Sequence, residues 1–324
     1  MPAEIRSRYA PSPTGPLHLG NLRTALLAWL HTRLQHGTFI LRVEDLDQPR
    51  CRPRFVEQLI ADLHWLGLDW DEGPGASSTC GPYLQSQRQA YYEHALQSLI
   101  ERGHVFPCSC SRKDVATALS APHGSGTLYP GTCRQRSPEL AGRTAEPLSW
   151  RFRVGKREIR FHDELLGQQT QNLAREVGDF VVKRRDGLFA YQLAVVVDDH
   201  LMGVTDVVRG ADLMDSTARQ IALIEALDFA RPRYWHVPLL RDPQGRRLAK
   251  RDRAQSLEPL RDRGATAAQI VGRLAHSAGL IDRDEPLSAA ELLKTLTLET
   301  FTRRLRDTAA ADIADSGFRH HDPQ

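Results

Sequence analysis

The sequence predicts an α/β fold, a parallel, doubly wound sheet interrupted by an insertion and followed by a short helical region. Three observations predict it. From Ile5 to Ile100, short apolar runs alternate with amphipathic stretches of helical spacing, the pattern of strands joined by crossover helices. From Cys108 to about Phe180 that rhythm breaks. At Asp179 strand character returns, and a second set of strand-end and helix signals follows.

Composition narrows the class. A chain of 324 residues can bury a substantial core in one large or two modest domains. With 43 Lys and Arg against 40 Asp and Glu, the net charge of +3 does not by itself announce a nucleic-acid binder. No apolar run reaches the length of a membrane span, and the N-terminus lacks a signal-peptide core. Five unevenly spaced cysteines do not form a disulfide framework, so a reducing cytoplasm is expected.

Ile5 to Tyr9 reads as a short strand, and the prolines and glycine up to Pro16 then forbid regular structure. Leu22, Leu26, Trp29, Leu30 and Leu34 recur at helical spacing, so a helix opens near Leu19. A helix start carries unpaired N–H groups and partial positive charge, which suits phosphate. Gly20 would let a nucleotide approach the backbone, and His18 can donate to a phosphate oxygen. The competing reading is a proline-rich turn with a surface histidine.

Phe39 to Val43 reads as a buried strand ending in Glu44-Asp45-Leu46-Asp47. Acids at the carboxyl end of a parallel strand lie where open α/β sheets bind ligands, and Glu44 is suited to an ammonium group. Asp45 and Asp47 are expected to hold the loop or cap the next helix. Phe55 to Leu66 forms an amphipathic helix, and Asp69 to Gly81 a turn-rich loop. The segment Gln85-Ser86-Gln87-Arg88, which carries no assignable chemistry, leads into a helix around Tyr91 to Ile100.

Cys108 and Cys110 are followed across a polar, glycine-rich stretch by Tyr129 and Cys133. Two thiolates one residue apart plus a third suit tetrahedral zinc, with His104, His123 or a water as fourth ligand; buried packing cysteines are the alternative. Ser149 to Val154 alternates as a half-buried strand with which Glu158 to Phe161 is expected to pair. Arg151, Arg153, Lys156, Arg157 and Arg160 offer cations for RNA phosphates or simply a charged strand face.

In the second half, the apolar run from Phe189 to His200 fits a strand buried on both faces. Asp198-Asp199-His200 is then a strand-end loop that organises the site. Arg209, at another strand end, suits a carboxylate because guanidinium binds it bidentately; a structural pairing with Asp206 or Asp212 is the alternative. Ala218 to Leu227 continues as a helix. Arg247-Leu248-Ala249-Lys250-Arg251 is a basic loop. Ala265 to Leu280 and Leu287 to Leu305 are helix-like, and 309–324 reads as a polar tail.

The run Arg8-Tyr9-Ala10-Pro11-Ser12-Pro13-Thr14-Gly15-Pro16-Leu17-His18-Leu19-Gly20 resembles the N-terminus of glutamyl-tRNA synthetases. His18-Leu19-Gly20-Asn21 occupies the place of the class I "HIGH" signature, with Asn21 where its final His would be. The basic loop maps onto "KMSKS" and departs from it at Arg247, Ala249 and Arg251, while Lys250 is retained. The Cys-x-Cys…Tyr-x-x-x-Cys pattern, and the short stretch after Leu257 with no room for an anticodon-binding domain, resemble the truncated glutamyl-Q paralogues. The likeness covers roughly the first four-fifths of the chain.

The resemblance implies a class I synthetase Rossmann core. Residues 1–107 and 179–256 would form its halves, 108–178 a zinc-containing connective insertion that binds an acceptor end, and 257–324 a helical stem-like region with a tail. It implies that glutamate is framed by Arg8, Tyr9, Ala10, Pro11, Ser12, Glu44, Tyr191 and Arg209, and ATP by His18, Gly20, Asn21 and Lys250, with Mg2+ as counter-ion. His18 and Lys250 would be the catalytic pair, and Tyr129 the fourth ligand of a structural zinc. The implied reaction is activation of glutamate without tRNA and its transfer to queuosine at the wobble position of tRNA(Asp), by a monomeric cytoplasmic enzyme. A shortened conventional synthetase and a non-catalytic tRNA-binding relative remain the alternatives.

Overall fold

A computed structural model describes residues 4–76, 80–111, 114, 128–144, 146–240 and 256–316. Six strands form the main sheet in the order β2 (Thr38–Leu41), β1 (Arg6–Tyr9), β8 (Asp206–Gly210), β9 (Arg233–Val237), β5 (Ile159–Asp163) and β6 (Gly167–Gln171). The first five are mutually parallel and β6 closes the edge antiparallel to β5. The chain leaves β1 towards β2 on one side and β8 towards β9 on the other. The gap beyond the carboxyl ends of β1 and β8 is therefore a topological switch point, where such sheets open a crevice.

The helix α1 (Leu19–Arg33) connects β1 to β2 and buries Leu22, Leu26, Leu27 and Leu30 completely. It is apolar on nearly every side because it lies between the sheet and the C-terminal helices. Next come α2 (Pro53–Trp65) and α3 (Gln89–Glu101). A second, antiparallel sheet contains β3 (Val105–Cys108), β4 (Ser149–Phe152) and β7 (Phe180–Lys183).

Three expectations change. Tyr191–Leu201 is a helix, α4, and not a strand. It packs against α3, β7 and the following helix α5 (Met214–Ala226), so Leu193 to Asp199 are buried all round. A helix enclosed on every side loses its amphipathic signature, and a run of valines then mimics a central strand. The strand at Glu158–Phe161 does not pair with Ser149–Val154. β4 pairs with β3 and β7, while β5 forms a hairpin with β6 and joins β9 of the main sheet. Asp163 Oδ1 accepts the N–H groups of Leu165 and Leu166, and Gly167 takes a φ of 72°, which shapes that hairpin turn.

The third change is at the C-terminus. The stretch expected as one helix from Leu287 to Leu305 is two, α7 (Ala289–Thr295) and α8 (Leu298–Ser316), preceded by α6 (Ala267–Ser277). Capping boxes at Thr266/Gln269 and Ser288/Glu291 start α6 and α7. Helix α8 carries on through the first part of the expected polar tail, with Ala309 buried. The basic loop with Arg247, Ala249, Lys250 and Arg251 lies outside the described residues, as do His123 and 317–324. No helix among the described residues is long and apolar enough to cross a membrane.

Candidate active site and metal centre

A cleft of about 1230 Å³ opens at the switch point. Arg8, Tyr9, Ala10, Pro11, Ser12, His18, Gly20, Asn21, Glu44, Tyr191 and Arg209, widely spread in sequence, all line it. Lys250 lies outside the described residues. Arg54, Phe55 and Gln58 of α2 also line the cleft; Phe55 and Gln58 had read only as part of an amphipathic helix, and Arg54 had no reading.

At the phosphate-type end, His18 is the N-cap of α1 and its Nδ1 accepts the Asn21 N–H at 3.3 Å. That bond assigns the proton of a neutral imidazole to Nε2, a donor. A Cβ on Gly20 would lie 3.0 Å from the His18 ring, so glycine leaves both ring and backbone accessible. His18, Gly20 and Asn21 all line the cleft, so the positive end of this fifteen-residue helix borders it.

At the other end lies a buried charge network. Asp199 Oδ1 accepts from Arg8 Nε at 3.1 Å and Arg42 Nη1 at 2.6 Å, and Arg42 Nη2 reaches Glu44 Oε1 at 3.2 Å. Asp198, fully buried, accepts from Arg88 Nε at 2.6 Å, Gln85 Nε2 at 2.8 Å and Tyr92 Oη at 2.9 Å. Asp198 and Asp199 thus organise the site from the last turns of α4, not from a strand-end loop. The Gln85–Arg88 segment, mute in sequence, serves as a strut beneath them. Asp45, as expected, holds its loop: its two oxygens accept from the N–H and hydroxyl of Ser86.

Burial pushes the Glu44 carboxyl up, and the nearby Arg42 and Arg8 only partly counter it, so it stays above the usual glutamate range. Burial also acts to raise Asp199, but there Arg8 and Arg42 prevail and its carboxyl is held below the usual range. The two acids thus divide the work: Asp199 is a permanent anchor, and Glu44 is poised to gain from an arriving cation. Burial and Glu44 together raise the Tyr191 phenol, keeping it a neutral hydrogen-bonding wall.

Arg209 is 3% exposed and pairs with neither Asp206 nor Asp212. Its Nε donates to His236 Nε2 at 3.1 Å, Nη1 to Gln220 Oε1 at 2.7 Å and Nη2 to Thr217 Oγ1 at 2.8 Å. Asp206 is engaged at the other end of β8 by Arg233, Trp235 and Thr205. A carboxylate in the cleft could thus approach a guanidinium whose charge is still available.

Away from the cleft, the sulfurs of Cys108, Cys110 and Cys133 lie within 4.8 Å of one another. Cys110 and Cys133 sulfurs are 3.6 Å apart, and the Tyr129 phenol oxygen is 3.4 Å from Cys108 and 3.8 Å from Cys110. A tetrahedral ion with metal–sulfur bonds of about 2.3 Å needs edges of about 3.8 Å. The group could hold zinc. Burial acts to raise the Cys133 thiol, but hydrogen bonds from Tyr129 and the Ser109 backbone outweigh it and bring it down to about 7. Arg151 adds positive charge, with Nε 3.4 Å from the Cys108 sulfur and its guanidinium 4.0 Å above the Tyr129 ring.

Comparison with known proteins agrees with this geometry. Residues 4–302 match the family described as tRNA synthetases class I (E and Q), catalytic domain. The chain is 50% identical over 316 residues to the glutamyl-Q tRNA(Asp) synthetase of Symbiobacterium thermophilum, covering 95% of this chain and 97% of that protein. It is 48% identical over 316 residues to the protein of that name from Nitratidesulfovibrio vulgaris, covering 96% and 97%. Among solved structures it is similar to a glutamate tRNA ligase from Elizabethkingia meningosepticum in complex with its amino acid, with a TM-score of 0.80 and 27% identity. That match covers 92% of this chain and 66% of the ligase, so the chain spans just under two thirds of it. The chain belongs to the class I aminoacyl-tRNA synthetase family of ligases, alongside the relatives called glutamyl-Q tRNA(Asp) synthetase.

Proposed function

We propose that this protein activates L-glutamate with ATP, without tRNA, and transfers it to the queuosine base at the wobble position of tRNA(Asp). The observation that carries the reading is one cleft with three suited ends. Glu44 is placed for an α-ammonium, Arg209 for a side-chain carboxylate, and the capped start of α1 for phosphate. The α-carboxylate between them would attack the α-phosphorus of ATP and release pyrophosphate, giving glutamyl-adenylate. The protein would act mainly by positioning and by stabilising developing charge. Arg8, Tyr9, Ala10, Pro11, Ser12 and Tyr191 complete the amino-acid side. His18, Gly20, Asn21 and Lys250 serve ATP, with Mg2+ as counter-ion. The names of the relatives support the acceptor.

We further read Cys108, Cys110, Tyr129 and Cys133 as ligands of a structural zinc, supported by the tetrahedral spacing above. The protein would work in the cytoplasm as a monomer.

Glutamate-dependent ATP–pyrophosphate exchange without tRNA tests the first step. Labelled glutamate offered to tRNA(Asp) with and without queuosine tests the second. Exchange together with queuosine-dependent labelling is expected. Exchange only with tRNA, and labelling independent of queuosine, would mean a conventional synthetase. No exchange even with tRNA would mean a binding protein.

A further inference from the structure

Behind Arg209, two neighbouring strands bring up a row of side chains that the catalytic reading does not use. Arg209 on β8 lies directly opposite His236 on β9, and Asp163 closes the row from β5 on the far side of β9. His236 Nδ1 is 2.6 Å from Asp163 Oδ2, and both side chains are fully buried. Arginine Nε is a donor only, so His236 Nε2 must present its lone pair to Arg209 and Nδ1 must carry the proton to Asp163. Asp163 therefore locks the tautomer that makes His236 a neutral acceptor. Burial, only partly opposed by Asp163, keeps that ring below the usual histidine range and uncharged.

The remaining partners of Arg209, Gln220 and Thr217, are neutral as well. The contrast with the rest of the buried network is sharp. Arg8, Arg42 and Arg88 each meet an aspartate within 3.1 Å, whereas no ion pair is formed by Arg209 among the described residues. A guanidinium taken out of water without a counter-charge is costly, and a ligand carboxylate relieves that cost where a carboxamide cannot.

We propose that His236, Gln220 and Thr217 form a neutral cradle, set by Asp163, that orients Arg209 and leaves its charge uncompensated, so that the cleft selects glutamate over its isostere glutamine. The cradle residues are positioning residues that act through Arg209. The proposal rests on the reading of this cleft as a glutamate site.

Gln220→Glu tests it, because it is nearly isosteric and puts a carboxylate where the amide oxygen lies 2.7 Å from Arg209 Nη1. The neighbouring Gln192, whose oxygen now accepts from Gln220, can flip its amide to suit, since Ser216 can donate as well as accept. In the full-length protein, calorimetric titration with L-glutamate and L-glutamine reads affinity, and exchange kinetics separate KM from kcat. Gln220→Glu is expected to weaken glutamate binding by about tenfold or more, to shrink the preference over glutamine by a similar factor, and to raise KM more than it lowers kcat. Its melting temperature should not fall, since it gains an ion pair. His236→Gln, which can still accept from Arg209, should lose far less than His236→Leu. A folded Gln220→Glu protein with unchanged glutamate affinity and preference would overturn the proposal. So would a wild-type protein that does not prefer glutamate to glutamine. Wild-type protein that binds glutamate selectively yet gives no exchange would defeat the activation reading alone and leave the cradle standing.

Discussion

Asp198 is the keystone of the charge network, and Asp198→Asn removes its charge while keeping its shape. The side chain is fully buried and accepts from Arg88, Gln85 and Tyr92, with Arg42 Nε a further 3.8 Å away. Asparagine can keep its oxygen on Arg88, and Tyr92 and Gln85 can reorient toward the new NH2 group. The loss is then the counter-charge of two buried guanidinium groups. Losing one partner of a buried pair costs about 3–5 kcal/mol, and the retained hydrogen bonds set the expectation at the low end, about 3 kcal/mol. With an unfolding entropy of about 2.1 cal/mol/K per residue over 324 residues, that loss lowers the melting temperature by about 4 °C. Calorimetry or circular dichroism at neutral pH measures it. A double-mutant cycle with Arg88→Met should show coupling of at least about 1.5 kcal/mol, since the second removal finds the pair already broken. A melting temperature within about 1 °C of wild type, or an additive cycle, would refute the reasoning.

Three further outcomes are expected. Glu44 takes its proton above the usual glutamate range, so kcat/KM for glutamate should fall on the acid side as pH drops through that raised value; Glu44→Gln should raise KM and abolish that limb, and an unchanged limb would mean another group titrates there. Burial raises Asp62 to about 6, against which Arg261 offers only a 3.6 Å contact. The folded state therefore favours the protonated form, a contribution fully present below the ordinary aspartate value of 3.8 and lost as pH rises through about 6. Asp62→Asn should accordingly raise the melting temperature at pH 7.5, by up to about 2 kcal/mol of stability, and lose that advantage below about pH 4; an equal gain at both pH values would count against it. Elemental analysis should find one zinc per chain, lost in Cys110→Ser, and Tyr129→Phe should release zinc to a chelator more readily than wild type; a Tyr129→Phe protein that holds zinc as tightly would remove the phenol from the ligand set.

Much of the candidate site was legible because its signals are local. A proline-rich turn opening a helix, an acid after one strand and an arginine in another each follow from neighbours a few residues away. The grouping of Cys108, Cys110 and Cys133 was legible for the same reason, since two of them are one residue apart, while Tyr129 was indicated only by the family resemblance. What failed was what depends on surroundings. Tyr191–Leu201 has the composition of a central strand, and only its enclosure by α3, α5 and β7 makes it a helix. Ile159–Asp163 alternates as any half-buried strand does, and its partner was decided by the place of β9.

The sequence by itself determined the α/β architecture, the phosphate-type helix start, the acidic and basic strand ends and the spacing of the three clustered cysteines, because these rest on residue type and short-range periodicity. Only the tertiary structure decided which charges are compensated. Asp198 and Asp199 meet Arg8, Arg42 and Arg88 across helix and sheet. Arg209 meets His236, Gln220 and Thr217 and, among the described residues, no carboxylate. Whether an arginine is a structural tie or a binding site depends on its partners, and strand order and helix docking choose those partners across long stretches of chain.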